Sequence, residues 1–164
     1  MADLEGILER LIKSNVAFVI VGGYAAVAHG CTMITMDVDI CCDMSADNLL
    51  KLQKALSILH PVHRLTPKRI PLNITREKCR GIKNIYLDTD CGQLDCLGEI
   101  KGIGDFKAVE AISEQIEWPS GRCLILSLDG LIKAKKAMDR PRDRETVIQL
   151  EALKEKKQRK RYSS

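Results

Sequence analysis

Residues 16–42 read Val-Ala-Phe-Val-Ile-Val-Gly-Gly-Tyr-Ala-Ala-Val-Ala-His-Gly-Cys-Thr-Met-Ile-Thr-Met-Asp-Val-Asp-Ile-Cys-Cys. Val16 to Val21 is apolar and rich in β-branched side chains, the mark of a short buried strand. Gly22-Gly23 breaks it, and Tyr24 to His29 has the small residues of a short helix. Ile34 to Cys42 reads as a second strand, carrying Asp37 and Asp39. Side chains alternate along a strand, so the two acids share a face, roughly 6–7 Å apart. Acids so placed repel unless a cation lies between them or one is protonated. Hard cations such as magnesium are held by oxygens of this kind. Glycine at the strand-to-helix turn lets a phosphate approach the backbone, with the N–H groups of the helix start aimed at it. The plainer alternative is a tight turn without a ligand, followed by two solvated strand-end acids.

Working outward, Leu4, Ile7, Leu8, Leu11 and Ile12 fall on one face of a helix over residues 3–13. Ser45 is placed to cap a helix from about Ala46 to Leu59. Pro61, Pro67 and Pro71 make residues 60–83 an irregular connection. Asn84 to Thr89 and Gln93 to Gly98 read as strands joined at Asp90-Cys91-Gly92. Ile112 to Trp118 and Arg122 to Leu126 form another pair around Pro119-Ser120-Gly121. Ser127 caps a helix over Leu128 to Met138, and Asp143 starts a last helix to about Lys156. The sum is one α/β domain with a mixed sheet flanked by helices.

A phosphate turn followed by a carboxylate pair is what phosphoryl chemistry requires, because metal neutralises phosphate oxygens while the protein supplies position. Two metals need a bridging acid and a third carboxylate. Asp95 is the best candidate, since an acid within Gln93-Leu94-Asp95-Cys96-Leu97 needs a reason.

Val21-Gly22-Gly23-Tyr24-Ala25, Gly30, Thr35 and Asp37-Val38-Asp39-Ile40 together resemble the signature of the polymerase-β-like nucleotidyltransferase superfamily. The likeness is to its small bacterial branch of toxin-type and minimal nucleotidyltransferases. Asp95 matches the family's later acid, and Leu128-Asp129-Gly130-Leu131-Ile132 through Lys135 to Arg140-Pro141-Arg142-Asp143 is similar to the helix and turn that follow its sheet. The resemblance implies the nucleotidyltransferase fold, with residues 1–156 as the domain and 157–164 as a basic tail. It implies metal-dependent transfer of a nucleoside monophosphate from ATP or another NTP to an acceptor hydroxyl. Asp37 and Asp39 would bind Mg2+ or Mn2+, and Asp95 would bind one metal and help deprotonate the acceptor. Gly22 and Gly23 would line the triphosphate. Lys135 would neutralise phosphate charge, unless it is a helix lysine reaching to water. The acceptor would be an RNA such as a tRNA end, a protein hydroxyl or a small molecule. The same site would serve the toxin of a toxin–antitoxin pair, with an antitoxin as partner. A departure stands at Met33, where many relatives carry arginine. It favours a third reading, a non-catalytic nucleotide-binding module, unless Arg64, Lys68, Arg69 or Arg76 replaces the lost charge.

Composition bounds the rest. The 164 residues suit one domain, and 4% aromatics make an aliphatic core. No apolar run reaches the roughly eighteen residues of a spanning helix, so no membrane role is expected. Met1-Ala2-Asp3-Leu4-Glu5 carries acids early and does not read as a secretory leader. Seven cysteines, two of them adjacent and none spaced C-x-x-C, suit reduced thiols in the cytoplasm. A zinc site at Cys91 and Cys96 has the wrong spacing for common modules, and small buried side chains are the simpler reading. His60 to Lys83 holds seven Lys or Arg against the single acid Glu77, which slightly favours a polyanionic acceptor. His29 reads as a packed helix-end residue, Glu99 as a solvated acid, Asp90 as a turn residue, and Asp143 with Arg140 as a helix-start pair. Asp88 joins the acids only if its strand faces them.

Overall fold

The structure is a computed structural model that describes residues 2–163. Helix α1 (Leu4–Lys13) buries the expected stripe of Ile7, Leu8, Leu11 and Ile12. The Asp3 carboxylate caps it by accepting from the Gly6 N–H. Strand β1 (Phe18–Val21) is buried along its whole length. It leads directly into α2 (Gly22–His29), which Gly30 ends at φ +117°. Then follow β2 (Asp37–Cys42), α3 (Ala46–Leu56), β3 (Val62–His63), β4 (Asn84–Thr89) and β5 (Gly92–Leu97). A small ribbon, β6 (Glu99–Ile100) with β7 (Gly104–Asp105), precedes α4 (Phe106–Ala111). The chain closes with β8 (Ser113–Trp118), β9 (Gly121–Leu126), α5 (Leu128–Met138) and α6 (Pro141–Tyr162).

The sheet has seven strands in the order β3-β4-β5-β2-β1-β9-β8. The β2–β5 and β1–β9 pairs are parallel and the others antiparallel, so the sheet is mixed as expected. Val38, Ile40, Leu94, Cys96, Ile85 and Leu87 alternate onto one buried face. The other face carries the polar residues of β2 and β5, and α4 packs against β1, β2 and β9. No helix among the described residues is long and apolar enough to cross a membrane.

Several boundaries differ from expectation: the first strand begins at Phe18, the next helix already at Gly22, and the helix from Ala46 ends at Leu56 before a single 3-10 turn over Ser57–Leu59. The second strand begins at Asp37 rather than Ile34, leaving Ile34 and Met36 exposed. Before Asp37 the neighbouring strands run out, because β1 stops at Val21 opposite Asp39 and β5 begins at Gly92, one residue before the Gln93 that pairs with Asp37. The last helix begins at Pro141, whose fixed φ suits a first helical position, and continues through Tyr162. The connection over 60–83 is not wholly irregular, since Val62 and His63 pair with Asp88 and Leu87 as an edge strand. Residues 99–111 fold into the ribbon and α4, where Val109 is fully buried.

Asn48 ties the sheet to its first crossover. Its side-chain oxygen accepts from the Ala17 N–H at 2.7 Å, and its amide donates to the carbonyls of Ala17 and Asp43. These residues lie just before β1 and just after β2, so Asn48 fixes the strand pair that carries the acids. Asn48→Ala is expected to cost about 1–3 kcal/mol by orphaning buried backbone groups. Asp47→Ala, which breaks only an exposed pair with Arg76, should change stability by about 0.5 kcal/mol or less. Chemical denaturation of both variants checks the contrast.

Candidate active site

Strand register assembles the site. Val21 pairs with Asp39, Asp39 with Asp95, and Asp95 with Tyr86. The Arg64 N–H donates to the Tyr86 carbonyl at 2.9 Å, extending the row beyond β3. Arg64, Tyr86, Asp95, Asp39 and Val21 therefore lie side by side across the sheet. A second row, Asp88, Gln93 and Asp37, lies beside it on the same face. The carboxylate oxygens of Asp37, Asp39 and Asp95 lie within 4.8 Å of one another. Among the described residues, this is the one group of three or more side chains able to hold a metal. The donor set is all oxygen, which suits Mg2+ or Mn2+ rather than zinc. Cys96 points to the opposite, buried face, so the zinc alternative at Cys91 and Cys96 is not supported.

Gly22 is required sterically. A Cβ there would lie 2.3 Å from Asp39 Oδ2, and its φ of +70° is one that other residues rarely adopt. A Cβ on Gly23 would lie 3.0 Å from the Thr35 methyl and 3.9 Å from Met33 Cε. Both glycines thus set the start of α2 directly beside the acids, and the preceding Val21 supplies no side-chain cap. The first N–H groups of a helix have no partner within it. Met33 stands at the same turn, so the missing basic residue is missing beside it.

Burial, the Asp37 charge and the Asp95 charge together push the Asp39 carboxyl up to about 7, against the opposing pull of Lys135 and Arg64. Burial also raises Asp95, although Arg64 hydrogen-bonds to it and holds it down. Carboxyls perturbed by burial and by one another's charge in this way are common at functional sites.

Lys135 and Arg140 supply positive charge from the other side. Lys135 Nζ lies 3.4 Å from Asp143, and Arg140 donates to Asp143 from Nε at 2.6 Å and Nη2 at 3.1 Å. Burial opposes the charge of Asp143, but the hydrogen bonds of Arg140 and the nearby Lys135 outweigh it and bring its carboxyl to about 2. Asp143 also accepts from the Arg140 N–H, so the expected helix-start pair is present. It does more than cap, since it holds two cations at a cavity of about 290 Å³. Asp39, Gly22, Lys135 and Arg140 line that cavity, and Leu97, Ile100 and Leu131 contribute to its aliphatic wall.

Other sequence candidates settle plainly. His29 Nε2 lies 2.8 Å from the Leu126 carbonyl, a packed helix-end residue. Glu99 is exposed at the cavity edge, and Asp90 bonds His60 at 2.6 Å in the turn. Asp88 faces the acids' side but pairs with Arg69 at 3.4 Å and stands outside the cluster. Of the four proposed replacements for the missing arginine, Arg64 reaches the acids, whereas Arg76 turns away to Asp47. The sequence reading did not find Arg140, Tyr86 or the aliphatic wall. Arg140 was expected only as half of a helix-start pair with Asp143, and no signal marked the others.

No family model matches the chain, and no curated protein sequence does. Solved structures do. A lincosamide antibiotic adenylyltransferase, LnuA with lincomycin bound, superposes with a TM-score of 0.59 at 15% identity, over 93% of this chain and 98% of that one. The chain has the fold of the polymerase-β-like nucleotidyltransferases. ANT(2")-Ia, in complex with adenylyl-2"-tobramycin, superposes with a TM-score of 0.53 at 14% identity, over 97% and 96%. At such identities the likeness speaks to architecture, and the nucleotidyltransferase fold here carries its acids on the strands that register brings together.

Because Asp39 titrates near 7 in the folded chain and near 3.8 when free, the folded state holds a proton that the unfolded state has lost between those values. Stability without metal should therefore fall as pH rises through that window, by up to about 4 kcal/mol. Thermal melting in chelator across this range should show the fall, and Asp39→Asn should remove most of it. An undiminished fall in the variant would place the titrating group elsewhere.

Proposed function

We propose that the protein transfers a nucleoside monophosphate from an NTP to the hydroxyl of a small molecule. The observation that carries this is the trio of carboxylates within 4.8 Å, set against a glycine turn that admits no side chain. Support also comes from the fold neighbours, one holding lincomycin and the other an adenylylated tobramycin. Both are named with an adenylyl group, which makes ATP the first donor to try.

In this reading Asp37, Asp39 and Asp95 would hold Mg2+ or Mn2+, which would supply neutralisation of phosphate oxygens and a more acidic hydroxyl. Gly22 and Gly23 line the triphosphate with backbone N–H groups. Lys135 and Arg140, held by Asp143, offset the charge of the leaving pyrophosphate. The acceptor oxygen attacks the α-phosphorus as the bond to pyrophosphate breaks. Asp95 takes the hydroxyl proton, and its place on β5 puts it on the side of the acids away from the glycine turn. The cavity between α5 and the sheet, about 290 Å³, is of a size for part of a small ligand.

Three of the seven basic residues expected to favour RNA are engaged with acids of the chain itself. Arg64 pairs with Asp95, Arg69 with Asp88 and Arg76 with Asp47. The small acceptor is therefore preferred on the fold neighbours and the cavity, not on this charge pattern. The toxin reading with its antitoxin partner rests on the motif resemblance alone, and the binding-module reading on Met33.

Pyrophosphate release from each NTP, with Mg2+ or Mn2+ and a panel of hydroxylated small molecules, tests the proposal. Transfer with at least one acceptor is expected, and Asp37→Asn or Asp39→Asn should slow it by about a thousandfold or more, since removed charge stabilisation is worth several kcal/mol. Metal-dependent nucleotide binding without any transfer would favour the binding module. Equal rates in the variants would remove the acids from the chemistry.

A further inference from the structure

The acid trio is not free of cations of the chain's own making. Arg64 follows the edge strand β3, and its side chain crosses the sheet to donate from Nη2 to Asp95 Oδ1. On the way its guanidinium lies over the Tyr86 ring, 5.8 Å from the centroid. The pair is well sheltered, with the Arg64 side chain 24% and the Asp95 side chain 16% exposed. Coulomb attraction in such a place is screened less than at the surface. Arginine stays protonated at every working pH, so this charge does not switch off.

The guanidinium is also incompletely satisfied. Arg64 Nε is buried and has no hydrogen-bond partner. A buried donor without a partner needs an explanation, and one explanation is a ligand that would complete it. Phosphate offers several charged oxygens in the geometry that a guanidinium fork matches. Asp95 receives only one of the fork's edges, so a phosphate could take the arginine away from it. The aromatic face of Tyr86 provides a surface on which the guanidinium remains stabilised while it changes partner.

We propose that Arg64 is a built-in counter-ion that occupies the third carboxylate until nucleotide arrives, and then moves to the triphosphate, so that metal loads with the nucleotide rather than before it. This rests on the transferase reading of the site. Arg64 thereby replaces in part the charge that Met33 lacks, but from the β5 side of the acids rather than from the glycine turn. It acts on Asp95 directly and on the metal through Asp95, which makes it a positioning residue.

The two halves of the idea have opposite signs. Without Arg64, free metal should bind better, because Asp95 has lost a competitor. Without Arg64, nucleotide should bind worse, because its phosphates have lost a partner. A residue that merely stabilises the fold would weaken both.

The test is Mn2+ titration of the whole chain by electron paramagnetic resonance, without nucleotide, for wild type and Arg64→Gln. Arg64→Gln should bind Mn2+ about three- to tenfold more tightly, the effect of losing one sheltered charge pair. In a second titration, with Mn2+ and a non-hydrolysable ATP analogue, the same variant should bind the analogue about tenfold more weakly. Arg64→Lys, which keeps the charge and the length, should stay near wild type in free Mn2+ affinity. It carries the test if Arg64→Gln does not fold, because tightening in Arg64→Lys would then overturn the counter-ion role. Unchanged, weaker or undetectable Mn2+ binding in folded Arg64→Gln overturns the proposal. Absence of transfer by the wild type would sink the transferase reading alone, since the metal titration involves no turnover.

Discussion

Three carboxylates on one sheet face, close enough to share a cation, are the constraint on which the rest of this structure depends. Nothing in the fold needs them. Buried like charges raise one another's pKa and oppose folding, and Asp39 is pushed up to about 7 as a result. The chain holds them together by register. β2 lies between β1 and β5, antiparallel to one and parallel to the other, and Asp39 falls opposite both Val21 and Asp95. Hydrophobic burial on the opposite face, through Val38, Ile40, Leu94 and Cys96, locks that register. A slip of one residue would move the acids into the core and the aliphatic residues to solvent.

Around the acids the chain arranges positive charge in two tiers. Arg64 touches Asp95 directly. Lys135 and Arg140 stand across the cavity and are tethered by the buried carboxylate of Asp143. The tether matters because long basic side chains otherwise reach for water. A single buried acid thus restrains two otherwise flexible cations. The glycine turn completes the site from the third side, where Gly22 gives Asp39 the room a side chain would fill.

Much of this was legible in the sequence, and the reason is local. The helix over residues 3–13 shows its stripe, and the strand pairs at 84–98 and 112–126 are bracketed by turn residues. Asp37 and Asp39 declare a shared face by spacing alone. What was not legible depended on long-range pairing. Asp95 was found as an acid among apolar neighbours, but its position opposite Asp39 is a property of the sheet order. Arg64 looked like one basic residue of seven in a proline-rich loop. Only the pairing of Val62 and His63 with β4 places it in the row of the acids. Residues 99–111 escaped because a two-residue ribbon and a six-residue helix are too short to show a period.

Anomalous diffraction from crystals grown with Mn2+ and a non-hydrolysable ATP analogue addresses the acid trio most directly. Manganese is expected among the carboxylates of Asp37, Asp39 and Asp95, with triphosphate against Gly22 and Gly23. Nucleotide bound with no manganese at those carboxylates, or manganese bound elsewhere, would contradict the reading of these three acids as a metal site.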